Sequence, residues 1–305
     1  MKWLKSLIVL GALVCGAAHA FAPQAGSWVI PSEINGQPGR GFVVDVQNGL
    51  FGMQMYGYQS NGQPTFYLAV GPLVNNAVTA PMYSYVGGRY LGSGPRSGTT
   101  SGSPGNVSVR FTSSTAGFIT LPGEPEVAFS RYEFGYTPGD PNNLMGTWVF
   151  TGINTLGGLS YLDTPALTTN VGPVLTGGTG MVMNSSKTMG CEQLPPTVTG
   201  DTEWITLCFV GPLNILSFPT AVTRTYQFTW AANEGGGGMF NGSGTTNQGV
   251  VLVRKIIDAN GNSVAFVRDL PVDADETAAP VQEDLEAFKQ AMNQAAAQML
   301  KRQSD

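Results

Sequence analysis

The chain is almost without histidine: one among 305 residues, His19, and it lies in the N-terminal segment that reads as a leader. Without an imidazole the remainder cannot assemble a Ser-His-Asp or Cys-His pair, nor a histidine-based zinc or iron site. Charge is also scarce, at 11% of residues where ~25% is usual. The 41 glycines, with Ser, Thr, Asn and Gln, must therefore cover much of the surface, which suits extracellular β proteins better than cytosolic enzymes. No apolar run reaches the ~20 residues a membrane-spanning helix needs. Cofactor motifs are missing too. The run Gly235 to Gly238 lacks the following helix and the Lys-Ser/Thr of a phosphate loop and reads as a flexible tip between strands, and there is no Gly-x-Ser-x-Gly elbow. No cofactor and no metal is expected. Asp258-Ala-Asn-Gly-Asn begins like a calcium loop but has no Glu at the closing position, so a hairpin turn is the better reading.

What is present starts with Lys2 and Lys5 ahead of a short apolar run, Leu7 to Ala17, and Ala18-His19-Ala20, the pattern of a signal peptide over 1–20 cleaved after Ala20. Export to the periplasm or beyond is expected. Cleavage would leave 13 basic against 20 acidic residues, a net charge of −7 with the basic residues scattered, so nucleic acid is not an expected partner. Two cysteines would remain, Cys191 and Cys208. In an exported chain they favour one disulfide over two free thiols or a redox pair, since no Cys-x-x-Cys occurs.

A 42% apolar chain of this length can fill two domains or one large β domain. The strongest local signal is Gly41 to Gln47 meeting Leu50 to Gln59 across Asn48-Gly49, a pair suited to positive φ at both centres of a two-residue hairpin. In the second arm Phe51, Met53 and Met55 share one face, and Gln54, Tyr56 and Tyr58 the other. Strand signals recur every 10 to 15 residues or so, favouring an antiparallel barrel or sandwich over 21–136, with Gly92 to Gly105 expected as a mobile polar loop. After Thr137-Pro138-Gly139-Asp140-Pro141 a second β module is expected over 137–270. Gly146-Thr147-Trp148-Val149-Phe150 echoes Gly26-Ser27-Trp28-Val29-Ile30 at 120 residues, and Val210-Gly211-Pro212-Leu213 echoes Val70-Gly71-Pro72-Leu73 at 140, either a divergent duplication or chance.

The end differs in kind. After an acidic linker over 271–280, Val281, Leu285, Phe288, Met292, Ala295 and Met299 form a narrow apolar stripe on a helix expected over 281–303. Its polar face is not basic, so it should dock on its own β domain or join copies into a homo-oligomer rather than lie on a membrane.

Carboxylates are the remaining catalytic currency: Glu33, Asp45, Glu124, Glu126, Glu133, Asp163, Glu203 and Glu234 are candidates, and none forms a motif. Arg131 falls on one face with Phe129 and Glu133, a setting for a structural Arg-Glu pair across strands or for ligand binding. The aromatics Trp28, Tyr56, Tyr58, Phe66, Tyr67, Tyr83, Tyr85, Tyr90 and Tyr132 cluster in the first module, either as cross-strand pairs or as a ligand platform.

Together, Gly26-x-Trp28-x-x-Pro31, Glu33, Gly39-Arg40-Gly41-Phe42, Tyr56-x-Tyr58, Gly62-Gln63-Pro64-x-x-Tyr67, Gly87-Gly88 and Arg131-Tyr132-x-Phe134 resemble a widespread bacterial family of exported β-rich proteins with no assigned function. Phe66 replaces the tryptophan that family has before Tyr67, and Ile34 to Pro38 is inserted between Glu33 and Gly39-Arg40. The resemblance implies fold and export and carries over no catalytic residue. The expected function is binding of an extracellular carbohydrate or peptide, through Trp28, Glu33, Arg40, Tyr56, Tyr58, Tyr67 and Arg89, or a part in a surface assembly. The alternatives are a carboxylate-based hydrolase, which needs two carboxyl groups roughly 5 to 10 Å apart in a cleft, and an outer-membrane barrel.

Overall fold

The computed structural model describes residues 22–154, 160–201, 203–213, 222–242, 244 and 246–264. The leader over 1–20, the linker over 271–280 and the helix over 281–303, with Val281, Leu285, Phe288, Met292 and Met299, lie outside the described residues. The protein is mainly β, two closed antiparallel barrels in tandem. The first contains β1 (Gly26–Val29), β2 (Gly41–Gln47), β3 (Leu50–Tyr58), β4 (Pro64–Pro72), β5 (Ala77–Val86), β6 (Thr99–Phe111), β7 (Ala116–Thr120) and β8 (Val127–Arg131), each paired with the next. It closes where β1 also pairs β8, Trp28 opposite Arg131 and Val29 opposite Ser130. Asn48 and Gly49 turn the β2–β3 hairpin at φ 49° and 74°, the left-handed geometry that matches strand twist. Period-two alternation then sends Phe51, Met53 and Met55 inward. They fill the barrel together with Trp28, Phe42, Met82, Val107, Phe111, Ile119 and Phe129, each large side chain worth about 1.5–3 kcal/mol on full burial. The polar stretch from Thr99 to Gly105 is not a loop: it is the exposed first half of β6, paired with the end of β5.

The second barrel comprises β9 (Gly146–Asn154), β10 (Ser160–Asp163), β11 (Ala166–Asn170), β12 (Val182–Asn184), β13 (Met189–Leu194), β14 (Ile205–Val210), β15 (Arg224–Ala231), β16 (Glu234–Asn241) and β17 (Asn247–Ile257). β9 pairs β17 along one edge and β10 and β11 along the other, which closes the ring. The glycines 235–238 are no tip between strands: they lie inside β16, paired on both sides. A Cβ at Gly235 or Gly237 would run into the Thr229 or Gln227 carbonyl, so this close strand approach requires glycine. Cys191 and Cys208 face each other in the β13–β14 register and form a disulfide, with an S–S distance of 2.02 Å, inside the core.

The Gly-x-Trp echo marks one structural role in both barrels. Gly26 and Gly146 take φ 123° and 124° at the start of the first strand. Trp28 and Trp148 then turn inward, and each indole N–H donates to the carbonyl four residues earlier, Gln24 at 2.9 Å and Leu144 at 2.8 Å. The Val-Gly-Pro-Leu echo is local: each copy passes a hairpin turn, Leu73 N–H donating to Gly49 O and Leu213 N–H to Lys187 O, both at 2.8–2.9 Å. Its ring position differs, because β11 enters the second ring ahead of the hairpin; β4 is fourth in its ring and β14 fifth.

Candidate functional site

The outside of the first barrel presents an uncharged aromatic face. Outward residues of β3, β4 and β5 line up across the strands as Tyr56 beside Phe66, Gln54 beside Leu68 and Tyr83, and Gly52 beside Val70. Tyr58 stands opposite Pro64 at one end. Phe66 stacks on Tyr85, centroids 6.2 Å apart and planes 11° from parallel. Tyr56 donates its hydroxyl to Gln54 Oε1 at 2.8 Å. Tyr56, Tyr58, Phe66, Val70 and Tyr83 are 39–57% exposed, a contiguous apolar surface of the kind that marks binding sites. On β2 the face is flanked by Gly41, Val43 and Asp45, opposite Tyr56, Gln54 and Gly52, and on β6 Asn106 lies opposite Pro81.

The seven expected ligand-binding residues are dispersed. Tyr56 and Tyr58 are on this face, but Tyr67 points inward against the core, and Trp28 is fully buried and cannot offer a ring to a ligand. Trp28 is a core residue because the first strand must seal the barrel end; its ring stacks on Phe129 at 5.0 Å and meets Phe111 edge-on at 5.4 Å. Glu33 and Arg40 do come together, despite the inserted segment, at one end of the barrel. There the Arg40 guanidinium grips Glu33 (2.8 and 2.6 Å) and Glu124 (both bonds 2.6 Å), holding the Glu124 carboxyl below its ordinary range. Four of the five donors are thereby used, so the cluster acts as a clip between segments. Arg89 bonds the Ser93 carbonyl in the exposed β5–β6 connection at 3.1 Å. Phe66, Leu68, Val70 and Tyr85 complete the face; strand alternation in β3 pointed to its side, and only the β3–β4–β5 register showed which residues adjoin.

In the second barrel Asp163, Arg224 and Tyr226 close on one another: the Tyr226 hydroxyl donates to Asp163 Oδ2 at 2.6 Å and accepts from Arg224 Nε at 2.8 Å. Glu192, fully buried, accepts the amides of Leu175 at 2.8 Å and Gly180 at 3.0 Å and organises the β11–β12 connection. Lys255 is buried as well. Its ammonium lies 5.2, 5.0 and 5.5 Å from the ring centres of Tyr136, Trp148 and Trp230 and donates to the Asn143 carbonyl. Burial pushes it down to about 8.

Between the barrels, Pro23, Gln24 and Ser114 face Thr151, Glu234, Leu252 and Arg254 across a groove of about 440 Å³. Beside it Arg131 donates to the Ser27 and Tyr132 carbonyls, so the expected Arg-Glu pairing with Glu133 gives way to backbone bonds. Among the described residues no group of three or more His, Cys, Asp or Glu is placed to hold a metal, and no helix is long and apolar enough to cross a membrane. No protein-family model, no curated protein and no solved structure matches this chain.

Proposed function

We propose that the chain is an exported, non-enzymatic binding protein that takes a neutral glycan on the β3–β5 face of its first barrel. The observation that carries this reading is the run of adjacent uncharged rows, in which aromatic rings stand beside tyrosine hydroxyls and the Gln54 amide. Apolar sugar faces stack on such rings while their hydroxyls meet the polar tips. A peptide is the weaker fit: every strand of this barrel is paired on both sides, so there is no open edge for an extended peptide to join. Core packing opposes a ligand inside the barrel, and apolar-in with Asp45, Gln54, Thr79 and Arg110 outward is the reverse of a lipid-facing barrel. For a carboxylate hydrolase, Glu133 and Glu203 approach each other, yet both oxygens of Glu203 are engaged by hydroxyls.

Calorimetric titration with a panel of neutral oligosaccharides tests the reading. At least one binds the full chain, and Tyr56→Ala or Phe66→Ala, both at exposed positions, weakens it about tenfold, one stacking contact. Failure of the whole panel to bind, or unchanged binding by both variants, rejects it.

A further inference from the structure

The segment ahead of β1 lies between the two barrels and is fixed there by Gln24. Its amide donates to the Ser114 carbonyl at 2.8 Å, its carbonyl accepts the Trp28 indole N–H at 2.9 Å, and its side-chain amide crosses to the Glu234 carbonyl at 2.6 Å. A chain end tied down in this way holds its position, where untethered termini fray. Ala22 and Pro23 thereby line the groove of about 440 Å³, facing the outer surface of the second barrel. On that surface Thr151, Leu252 and Gly236 stand in one cross-strand row, and Val149, Arg254 and Glu234 in the next. Two of these groups lack a complement. Leu252 is 42% exposed although it shares the groove with Pro23. Glu234 stands opposite Arg254 in register, yet among the described residues its carboxylate has no hydrogen bond and no ion pair. Arg131, whose charge interacts with Glu234, is turned instead to the Ser27 and Tyr132 carbonyls.

We propose that the groove seats the chain's own processed N-terminus: once the leader is cut after Ala20, the Phe21 ring covers Leu252 and the new Phe21 ammonium pairs with the Glu234 carboxylate. Phe21 lies outside the described residues, but the expected cut leaves it one residue from Ala22, and adjacent Cα atoms are about 3.8 Å apart. The new chain end is therefore delivered to the groove. A space of about 150 Å³ is enough for a benzene ring, so the phenyl group fits. Charge complements as well. Hydrolysis of the Ala20–Phe21 peptide bond by a leader peptidase, with water as co-reactant, leaves a carboxylate on Ala20 and an ammonium on Phe21. An uncharged amide nitrogen is thus replaced by a cation at a carboxylate with no other partner, the pairing by which backbone amines are captured. The contact marks maturation, because the uncut chain has no ammonium to offer. This seat rests on the export reading and uses no residue of the β3–β5 face.

The experiment takes the protein exported from a bacterial host with its own leader, and intact mass establishes its first residue. Reductive methylation with a carbon-13 label then marks the α-amine for titration by nuclear magnetic resonance. The parent is compared with Glu234→Gln, an exposed position, and with a chain carrying an Ala-Ser insertion ahead of Phe21, which moves the amine by about 7 Å. Arg131, Arg254, Glu133 and Glu203 are common to all three chains and cancel in the comparison. In the parent the α-amine holds its proton about two- to fivefold more tightly than in either altered chain, as an exposed ion pair allows. The Phe21 ring protons also cross-relax with the Leu252 methyl groups. An amine that titrates alike in the parent and Glu234→Gln, or a Phe21 ring without contact to Leu252, overturns the seat while the leader reading stands. A first residue other than Phe21 overturns both. Should Glu234→Gln fail to fold, the inserted chain supplies the comparison.

Discussion

Lys255 sets two physical effects against each other in one side chain. Desolvation disfavours its ammonium, while three aromatic faces and the Asn143 carbonyl favour it. If desolvation wins, the folded chain gives up this proton near pH 8, whereas the unfolded chain holds it to about 10.5. The sign follows from linkage: between those values the unfolded state binds more protons, so stability rises with pH. The full shift would be worth about 3.4 kcal/mol, and partial solvent screening with the opposing rings reduces the observable gain between pH 8 and 10 to about 1–2 kcal/mol. Above pH 10 the trend reverses, because burial raises Tyr136 and Tyr226, which then hold protons that the unfolded chain releases. Urea midpoints at about pH 7, 8, 9 and 9.5, followed by far-ultraviolet circular dichroism, compare the parent with Lys255→Met. The parent gains on the variant through this window. Curves that stay parallel would show that the aromatic cage holds the charge against desolvation, and the reasoning from burial would be refuted.

Gly146→Ala forces a side chain into φ 124° and into the Ile257 carbonyl at the closing pair of strands, so a loss of at least about 3 kcal/mol is expected in chemical denaturation; a loss under 1 would contradict it. Arg40→Ala leaves Glu33 and Glu124 facing each other without their cation and should cost about 1–2 kcal/mol at pH 7. Because the Glu124 carboxyl is depressed, that contribution is present above its ordinary range and disappears as pH falls through the lowered value, so parent and variant midpoints should converge on acidification below the ordinary glutamate range.

Local geometry was legible in the sequence because it is local. Asn48-Gly49 and the alternation after it place the β2–β3 hairpin and its inward side, and an even count of cysteines past the expected leader anticipates the Cys191–Cys208 bond. Barrel closure was not legible, since the pairing of Trp28 with Arg131 joins residues about a hundred positions apart and has no local signature. Glycine misled twice. In β16 it serves close strand approach, and in β6 a Gly/Ser/Thr stretch is held extended by its partner β5, against its own turn preference. Trp28 shows the limit for the site itself: an aromatic near the chain start suits a platform or a plug equally, and only the register places it inside. The groove between the barrels was out of reach for the same reason, because Gln24 and Glu234 are neighbours only once two barrels meet.

Each barrel's last strand returns beside its first, so the chain enters and leaves each one at nearly the same point. A pull on the two ends of such a module loads the closing pairs in succession, as in opening a zipper. In the first barrel that seam has two registered residue pairs; in the second, eight join β9 to β17. Under tension the first barrel should therefore yield before the second, lengthening the molecule in two separate steps and splitting the β3–β5 face from its frame while the disulfide-bonded barrel still holds.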